Sequence, residues 1–353
     1  MRNHLPAALI AVAVTLAGVA VIIAVALGVL SGGSSAALRP QASSASIAPR
    51  PNGLIYFQEG GGDGPTWTDA IQADGSGRER IFGPNSDYDE IAWSPDGRRI
   101  AYVGIALPAQ QSSDGQVHFG IYTASADGSN PRLLTEGLNE GWPSWSPDGN
   151  KIAFSSSRAD PSVKNCIAGA DALCPTNIYL MNADGTGITR LTNDPAPEFA
   201  PAWSPDGASI AFVRSADGTE AIDAVNADGT DERQVATGTG GNQRPFTWSP
   251  DGRQIAFVRM QKARWDLDVV NADGTGQRTV LSRNGVWTEG PAWSPDGTEI
   301  AFSSTLGAYP PGCGLDSDVC SDLFVIHPDG SGIRRLTQDA VGVFGIAWQP
   351  SSG

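Results

Sequence analysis

The chain has 353 residues, including 43 glycines and 25 prolines; 17% of its residues are charged, and its formal net charge at pH 7 is −15. Short strands joined by tight turns are typical of such a composition, and no sustained helical pattern of apolar residues follows residue 30. Binding to nucleic acid requires clustered lysine and arginine, and this acidic sequence has no such cluster, which argues against a nucleic-acid partner.

The N-terminus contains an uncharged apolar stretch, residues 5–30, behind a short segment, residues 1–4, that carries Arg2. A signal-peptide core is roughly 7–15 residues long, whereas a bilayer span needs about 20, so the stretch favours a transmembrane helix or signal anchor. The positive charge places residues 1–4 in the cytoplasm and the rest outside. We expect a single-pass membrane protein, secreted or periplasmic if the segment is cleaved.

Two further features agree with an extracytoplasmic chain. Residues 31–50 are rich in serine, alanine, glycine and proline, and they predict a flexible linker. Four cysteines follow in two close pairs, which lack the CxxC spacing and nearby histidines of most zinc sites. We therefore expect two local disulfides, each within one pair: Cys166 with Cys174, and Cys313 with Cys320.

Two short phrases recur along the remaining sequence. Trp-Ser-Pro-Asp-Gly occurs five times, and a sixth tryptophan begins the variant Trp-Gln-Pro; the tryptophans are Trp93, Trp145, Trp203, Trp248, Trp293 and Trp348. Phrases of the form Asn-Ala-Asp-Gly alternate with them. Self-similarity of this kind indicates a repeat architecture.

Both phrases contain the residues of a tight turn. Ser or Asn suits the first position, Pro fixes φ at the second, Asp tolerates the third, and Gly adopts the left-handed conformation that follows. Turn formation therefore accounts for the repeated aspartates, and no DxDxDG calcium loop is present. We expect the tryptophan ahead of each turn to pack between neighbouring repeats.

Each repeat has four strand-sized segments, which predicts an all-β fold: a β-propeller of four-stranded blades over residues 51–350. Six first strands are present, but the one ending at Trp348 has no partners after it, and the segments after Gly53 have no first strand before them. We therefore expect six blades, with the ring closed by pairing of residues 344–348 with residues 54–57.

The paired phrases AWSPDGxxIAF and NADG resemble the WD40-like repeats of the TolB-type propeller family. The resemblance covers residues 51–350 and implies the six-bladed fold and protein binding at the cell envelope. It departs from TolB where TolB has an additional α/β domain ahead of its propeller, because only the short spacer stands there. The partners of TolB are therefore not expected to be partners of this chain. We expect the protein to be a monomer.

An enzyme is the main alternative, because similar propellers precede the hydrolase domain of prolyl-oligopeptidase-like peptidases. No GxSxG nucleophile elbow occurs. The three histidines are His4, His118 and His327; they fall beside the apolar N-terminal stretch, in a third strand and in a turn phrase, respectively. We predict no catalytic residue, cofactor or metal. A carbohydrate-active hydrolase or lyase that uses loop carboxylates remains an alternative.

Connections between strands alternate between the two faces of a propeller. The stereotyped phrases share one face, here called the turn face, and the variable connections share the other, here called the loop face. Insertions after the second strands of blades 2, 3 and 6 fall on the loop face, which is common at the binding side of repeat proteins.

Acidic and aromatic residues stand on the loop face just ahead of the repeated tryptophans. We expect them either to be solvated loop residues or to form a rim for a basic peptide, a cation or a glycan. The candidate rim residues are Asp89, Glu140, Glu198, Arg244, Glu289, Trp142 and Trp287. The expected function is non-catalytic binding or scaffolding at the cell envelope, with a protein, peptide or glycan ligand that the sequence does not identify.

Overall fold

The computed structural model describes most of the predicted propeller. The described residues are 53–60, 66–82, 89–107, 118–137, 140–159, 175–238, 246–261, 264–284, 286–306, 320–338 and 342–350. The expected helix at residues 5–30 and the linker at residues 31–50 lie outside this set. Within the described part of the chain, no helix is long and apolar enough to cross a membrane.

The described residues form six antiparallel sheets of four strands, which are the six predicted blades. Blade 1 contains β24 (Val343–Trp348), β1 (Ile55–Glu59), β2 (Trp67–Ile71) and β3 (Glu79–Phe82). Blade 2 contains β4 (Asp89–Trp93), β5 (Arg99–Leu107), β6 (His118–Ser125) and β7 (Arg132–Gly137). Blade 3 contains β8 (Gly141–Trp145), β9 (Lys151–Ser156), β10 (Asn177–Asn182) and β11 (Thr189–Arg190).

The other three blades repeat the same strand order. Blade 4 contains β12 (Glu198–Trp203), β13 (Ser209–Ala216), β14 (Thr219–Asn226) and β15 (Arg233–Thr237). Blade 5 contains β16 (Phe246–Trp248), β17 (Gln254–Gln261), β18 (Arg264–Asn271) and β19 (Arg278–Leu281). Blade 6 contains β20 (Thr288–Trp293), β21 (Ile300–Ser304), β22 (Asp322–Ile326) and β23 (Arg334–Arg335). The predicted all-β propeller is confirmed.

The Ser-Pro-Asp-Gly phrases form the predicted turns between first and second strands. At the first of them, the backbone N–H of Gly97 donates to the carbonyl of Ser94 at 2.8 Å, and Gly97 has φ of 64°. The hydroxyl of Ser94 donates to Asp96 at 2.6 Å, and Asp96 accepts the N–H of Arg98 at 3.1 Å. The Ser94 hydrogen bond holds the pKa of Asp96 below its ordinary value. These aspartates therefore stabilise turns, as predicted.

The repeated tryptophans pack against the preceding blade. Trp145 of blade 3 shares an apolar cluster with Val103 and Ile121 of blade 2. The ring of Trp93 in blade 2 lies 4.5 Å, between centroids, from the ring of Tyr56 in blade 1. Large aromatic surfaces thus join consecutive blades, which confirms the interpretation of the tryptophans as anchors between repeats.

The ring closes by pairing the last strand with the first. Ile55 lies opposite Trp348, Tyr56 opposite Ala347, and Gln58 opposite Phe344 in an antiparallel ladder. First strands of consecutive blades also contact one another around the whole ring, including β24 with β4 and β20 with β24. The first strands are therefore innermost, and blade 1 is assembled from both ends of the propeller sequence.

Deleting residues 341–353 removes β24 and should open the ring. The strand contributes the buried side chains of Val343, Ile346 and Trp348. Loss of each large core side chain costs about 2–5 kcal/mol, so the unfolding temperature should fall by more than about 10 °C. Differential scanning calorimetry measures the change, and deletion of residues 351–353 alone is the control. An unchanged melting temperature in the longer deletion would contradict closure through β24.

Replacing a repeated tryptophan by alanine should weaken the contact between two blades. Trp145 is 6% exposed, and Trp145→Ala should cost about 3–5 kcal/mol of unfolding free energy. Trp203 is only half-buried, so Trp203→Ala should cost less. Urea denaturation of both variants tests the difference. Equal losses would show that burial against the preceding blade does not set the contribution of these tryptophans.

Candidate binding face

The first strands carry an irregular step on the loop-face side of their tryptophans. The pairing register shifts between Gly141 and Ser144 in blade 3 and between Phe199 and Ala202 in blade 4. Trp142 and Ala200 lie within these steps at φ of 50° and 52°. A bulge redirects side chains, and a left-handed conformation in a non-glycine residue costs on the order of 1–3 kcal/mol. Such strain is often found at functional sites.

Aromatic side chains line this part of the propeller in two pairs. Trp142 and Phe199 are half-buried, and their ring centroids lie 5.3 Å apart. The rings of Trp265 and Trp287, also half-buried, are stacked with centroids 4.8 Å apart and an interplanar angle of 10°. The indole N–H of Trp287 donates to Glu289 Oε2 at 2.9 Å. Trp142 and Trp287 thus lie on the loop face, which is the location predicted from the sequence.

The predicted rim carboxylates are buried in the structure. Glu140 is 2% exposed, Glu198 is 0% exposed and Glu289 is 7% exposed. They stand at or beside the starts of the first strands, where the irregular steps direct them into the protein. The expectation of solvent-exposed carboxylates is therefore wrong for these three residues. Asp89 pairs with Val103 at the start of β4.

The side chain of Asp89 and the whole of Arg244 lie outside the described residues, so their part in a rim remains a prediction.

Three of the four cysteines also lie outside the described residues; they are Cys166, Cys174 and Cys313. Cys320 is buried beside the start of β22. The two predicted disulfides are therefore still predictions.

Glu140 is neutralised by a cation from its own blade. Its carboxylate forms an ion pair with Arg158 and accepts the hydroxyl of Ser156 at 3.3 Å. Arg158 also donates to Thr135 Oγ1 of blade 2 at 2.7 Å and lies over the rings of Phe154 and Tyr179. Burial raises the pKa of Glu140, and the Arg158 guanidinium opposes that shift. This arrangement joins two blades internally.

Glu198 is held differently. Its Oε2 accepts hydrogen bonds from the hydroxyl of Thr192 and from Asn177 Nδ2, the latter at 3.1 Å. Among the described residues, no lysine, arginine or histidine forms an ion pair with it. Burial raises its pKa to about 7, and the negative charges of Glu232 and Asp194 add to the shift. A carboxyl group that titrates near neutrality is unusual and often belongs to a functional site.

A charged cluster surrounds Glu198 at the junction of blades 3 and 4. Arg214 forms ion pairs with Asp223, with Glu232 at 2.8 Å and with Asp194 at 3.3 Å. Burial raises the pKa of Asp223 to about 6, while Arg214 opposes the shift. The cluster therefore holds several carboxylates around one shared guanidinium.

A cavity of about 400 Å³ adjoins this cluster on the loop face. Its walls are mainly polar and combine residues from blade 3 with residues from the connection to blade 4. The lining residues are Ser156, Ser157, Ala159, Pro175, Asn177, Arg190, Asn193, Asp194 and Pro195. Cavities of this size can take a small molecule or a single side chain.

The buried ion pairs between blades were not predicted from the sequence, although the sequence contains one sign of them. Three aspartates lie in the middle of apolar third strands: Asp69, Asp223 and Asp268. Each stands three positions before the first residue of the turn phrase, of the form Asn-Ala-Asp-Gly, that follows its strand. All three are buried and paired with arginine. An acidic residue at the centre of an apolar strand therefore indicates a buried ion pair.

The two histidines in the described part of the chain lie where the sequence predicted, whereas His4 lies outside the described residues. His118 begins β6, a third strand, and His327 lies in a turn, with its Nδ1 3.0 Å from the carbonyl oxygen of Thr298. Among the residues that the structure describes, no group of three His, Cys, Asp or Glu side chains is placed to hold a metal ion.

A family model described as the TolB beta propeller domain matches residues 160–351, which is more than half of the chain. The match spans blades that share the strand order and turn chemistry described above. The chain therefore belongs to the TolB β-propeller family.

Individual relatives match over shorter stretches. Dipeptidyl-peptidase 5 of Porphyromonas endodontalis is 28% identical over 142 residues, which are 40% of this chain and 19% of that protein. The Tol-Pal system protein TolB of Anaeromyxobacter dehalogenans is 32% identical over 139 residues, which are 39% of this chain and 27% of that protein. This chain thus spans less than a third of the length of either relative.

The crystal structure of TolB from Acinetobacter baumannii shares the fold. It superposes with a TM-score of 0.62 at 20% identity and covers 84% of this chain and 67% of that chain. Similarity at this level of identity concerns the fold alone.

Glu198 should make the stability of the propeller fall as pH rises. Its pKa is raised from 4.5 to about 7 in the folded state, so its contribution is fully present below pH 4.5 and is lost as pH rises through 7. The effect is on the order of 3 kcal/mol. Glu198→Gln should make this decline smaller in urea unfolding measured from pH 5 to pH 8, and Asp223, whose pKa is raised to about 6, accounts for the part that remains.

Asp148→Asn is the control and should keep the decline seen in the wild type. The Ser146 hydroxyl lowers the pKa of Asp148 from 3.8, so the contribution of this residue is constant from pH 5 to pH 8 and is lost only in more acidic solution. A wild-type pH profile identical to that of Glu198→Gln would show that Glu198 does not titrate in this range.

Proposed function

We propose that the chain is a non-catalytic binding or scaffolding propeller at the cell envelope, and that its partner docks on the loop face. In this proposal residues 5–30 anchor the protein in the membrane and residues 31–50 connect the anchor to the propeller. The partial match to a Tol-Pal system protein supports an envelope role. The main support is the pair of half-buried aromatic contacts on the loop face, Trp142 with Phe199 and Trp265 with Trp287.

Half-buried aromatic side chains suit protein recognition. They offer large apolar contact area and lose little conformational entropy when a partner binds. The bulged backbone holds Trp142 in place. Trp287 is fixed by its backbone N–H, which donates to Thr305 Oγ1 at 2.8 Å, and by its indole N–H, which donates to Glu289 Oε2 at 2.9 Å. The platform is therefore formed before binding, which lowers the entropic cost of association.

The carboxylates of the loop face favour binding over catalysis. Glu140 is neutralised by Arg158 and Glu289 accepts the indole N–H of Trp287, so both have structural partners. An enzyme needs a carboxylate that can reach a substrate. Burial keeps these two groups from doing so.

A carbohydrate-active enzyme or a peptidase-type propeller is the second candidate. The pKa of Glu198, about 7, lies where a general acid or base works best, and a dipeptidyl-peptidase is among the partial matches. A substrate would have to reach a side chain that is 0% exposed. Turnover of a glycan or peptide substrate that is lost in Glu198→Gln would establish this alternative.

Capture of a partner by the full-length chain from solubilised envelope fractions tests the binding proposal. Phe199→Ala and Trp265→Ala should each reduce capture of a specific partner by about tenfold or more, as expected for central aromatic contacts. Ile333→Ala is the matched control, because Ile333 is 44% exposed and lies beside a turn on the opposite face. Mass spectrometry and a dilution series give the partner and its apparent affinity.

The control also shows how the proposal could fail. If Ile333→Ala abolishes capture while both aromatic variants bind like the wild type, the partner uses the turn face. Unfolding temperatures of the three variants should be measured alongside, so that loss of fold is not taken for loss of contact.

A further inference from the structure

The repeat provides an internal comparison between blades 3 and 4. Glu140 and Glu198 occupy the same position, each five residues before the tryptophan of its blade, Trp145 or Trp203. Both side chains are buried. In blade 3 the carboxylate forms an ion pair with Arg158. In blade 4 no cation from the described residues takes that place.

A buried carboxyl group without a counter-charge is costly when ionised. Glu198 Oε2 has two hydrogen-bond donors, but Oε1 is buried and has no partner within the described part of the chain. The charges around it do not balance it. Arg214 is shared among Asp194, Asp223 and Glu232. The cluster therefore carries excess negative charge at neutral pH, and a cation from outside the chain would stabilise it.

The adjoining cavity gives such a cation a place. Asp194 lines the cavity directly, with its side chain 33% exposed, and Asn177 lies between the cavity and Glu198. Arg190 also lines the cavity, but it is held by Asn177 Oδ1 and by the carbonyl of Thr192. Arg190 is exposed, so water screens its charge, whereas the charge of Glu198 is buried and acts at low dielectric.

We propose that this cavity between blades 3 and 4 receives a lysine or arginine side chain of a protein partner. The charged end of that side chain lies against Asp194 and compensates the negative charge of Glu198, from which Asn177 separates it. The proposal rests on the proposed function, since it names the residue type by which a partner would be recognised. The partner's cation would supply the compensating positive charge that Arg158 supplies to Glu140 by direct contact in blade 3. Such recognition would add specificity to the non-specific contact area of the aromatic pairs.

Binding of a minimal probe to the purified full-length protein tests the inference without the partner. The probe is Nα-acetyl-lysine methylamide, and the uncharged comparator is Nα-acetyl-norleucine methylamide. A ligand of this size should bind with a Kd on the order of millimolar, which is measurable by NMR titration. Binding should strengthen from pH 5.5 to pH 8, because protons compete with the cation for Glu198 and Asp223, whose neighbouring charges are Asp194, Glu232 and Arg214.

Two variants identify the groups responsible. Asp194→Asn and Glu198→Gln should each weaken lysine-probe binding by about tenfold, and Glu198→Gln should also flatten the pH dependence. Asp228→Asn is the control, since Asp228 lies in a turn on the opposite face and its hydrogen bonds are with Thr230. Asp194→Asn keeps the test decisive if Glu198→Gln alters the fold.

Several results would overturn the inference. These are the absence of lysine-probe binding, equal binding of the norleucine comparator, and wild-type affinity in both Asp194→Asn and Glu198→Gln. Tighter binding of calcium ions than of the probe, with loss in the same variants, would also overturn it in favour of a metal site. Because the probe requires no partner, its failure leaves the loop-face proposal standing, and failed envelope capture with intact probe binding would reject only that proposal.

Discussion

A propeller blade has two apolar faces, and in a ring each face must be covered by a neighbouring blade. The repeated tryptophans meet this requirement, since each is carried at the end of the innermost strand and packs on the blade before it, as Trp145 does on Val103 and Ile121. No blade can bury both faces alone, so the stability of each depends on the next. Pairing of β1 with β24 is therefore a condition for the whole ring as well as a local contact.

The same constraint determines where charges can lie. Side chains between blades are removed from water, so ionised groups there need partners within the protein. Asp69 is paired with Arg78 and Arg80, and Asp268 is paired with Arg259. The acidic character of the molecule is consequently divided. Some aspartates are exposed in turns, and others are buried with arginines between blades.

Local chemistry made much of this fold predictable. A Ser-Pro-Asp-Gly phrase forms its turn through contacts within six residues, as the hydroxyl of Ser94 shows by accepting the N–H of Arg99 at 2.9 Å. Counting first strands then gave the number of blades and the closure. The orientation of Glu140, Glu198 and Glu289 was not predictable in this way. Their direction follows from an irregular step in the first strand, which breaks the alternation on which burial patterns rest.

The partners of these glutamates were equally hidden, because they come from other strands. Arg158 follows the second strand of its blade, and Thr192 and Asn177 reach Glu198 from blade 3. Ion pairs of this kind depend on the register between strands and on the packing between blades, neither of which is visible in a short stretch of sequence. The presence of aspartate within an apolar strand, as at Asp223, is the one local sign that such a pair is needed.

Function in a repeat protein depends on the differences among its repeats. The turn face is nearly uniform, with the same hydrogen bonds at Ser94, Ser146, Ser204, Ser249 and Ser294. The loop face departs from that uniformity in its connection lengths, in its aromatic pairs and in the contrast between a neutralised Glu140 and an unneutralised Glu198. A partner that binds at one blade junction and not at the other five needs such asymmetry. The junction of blades 3 and 4 differs in both shape and charge.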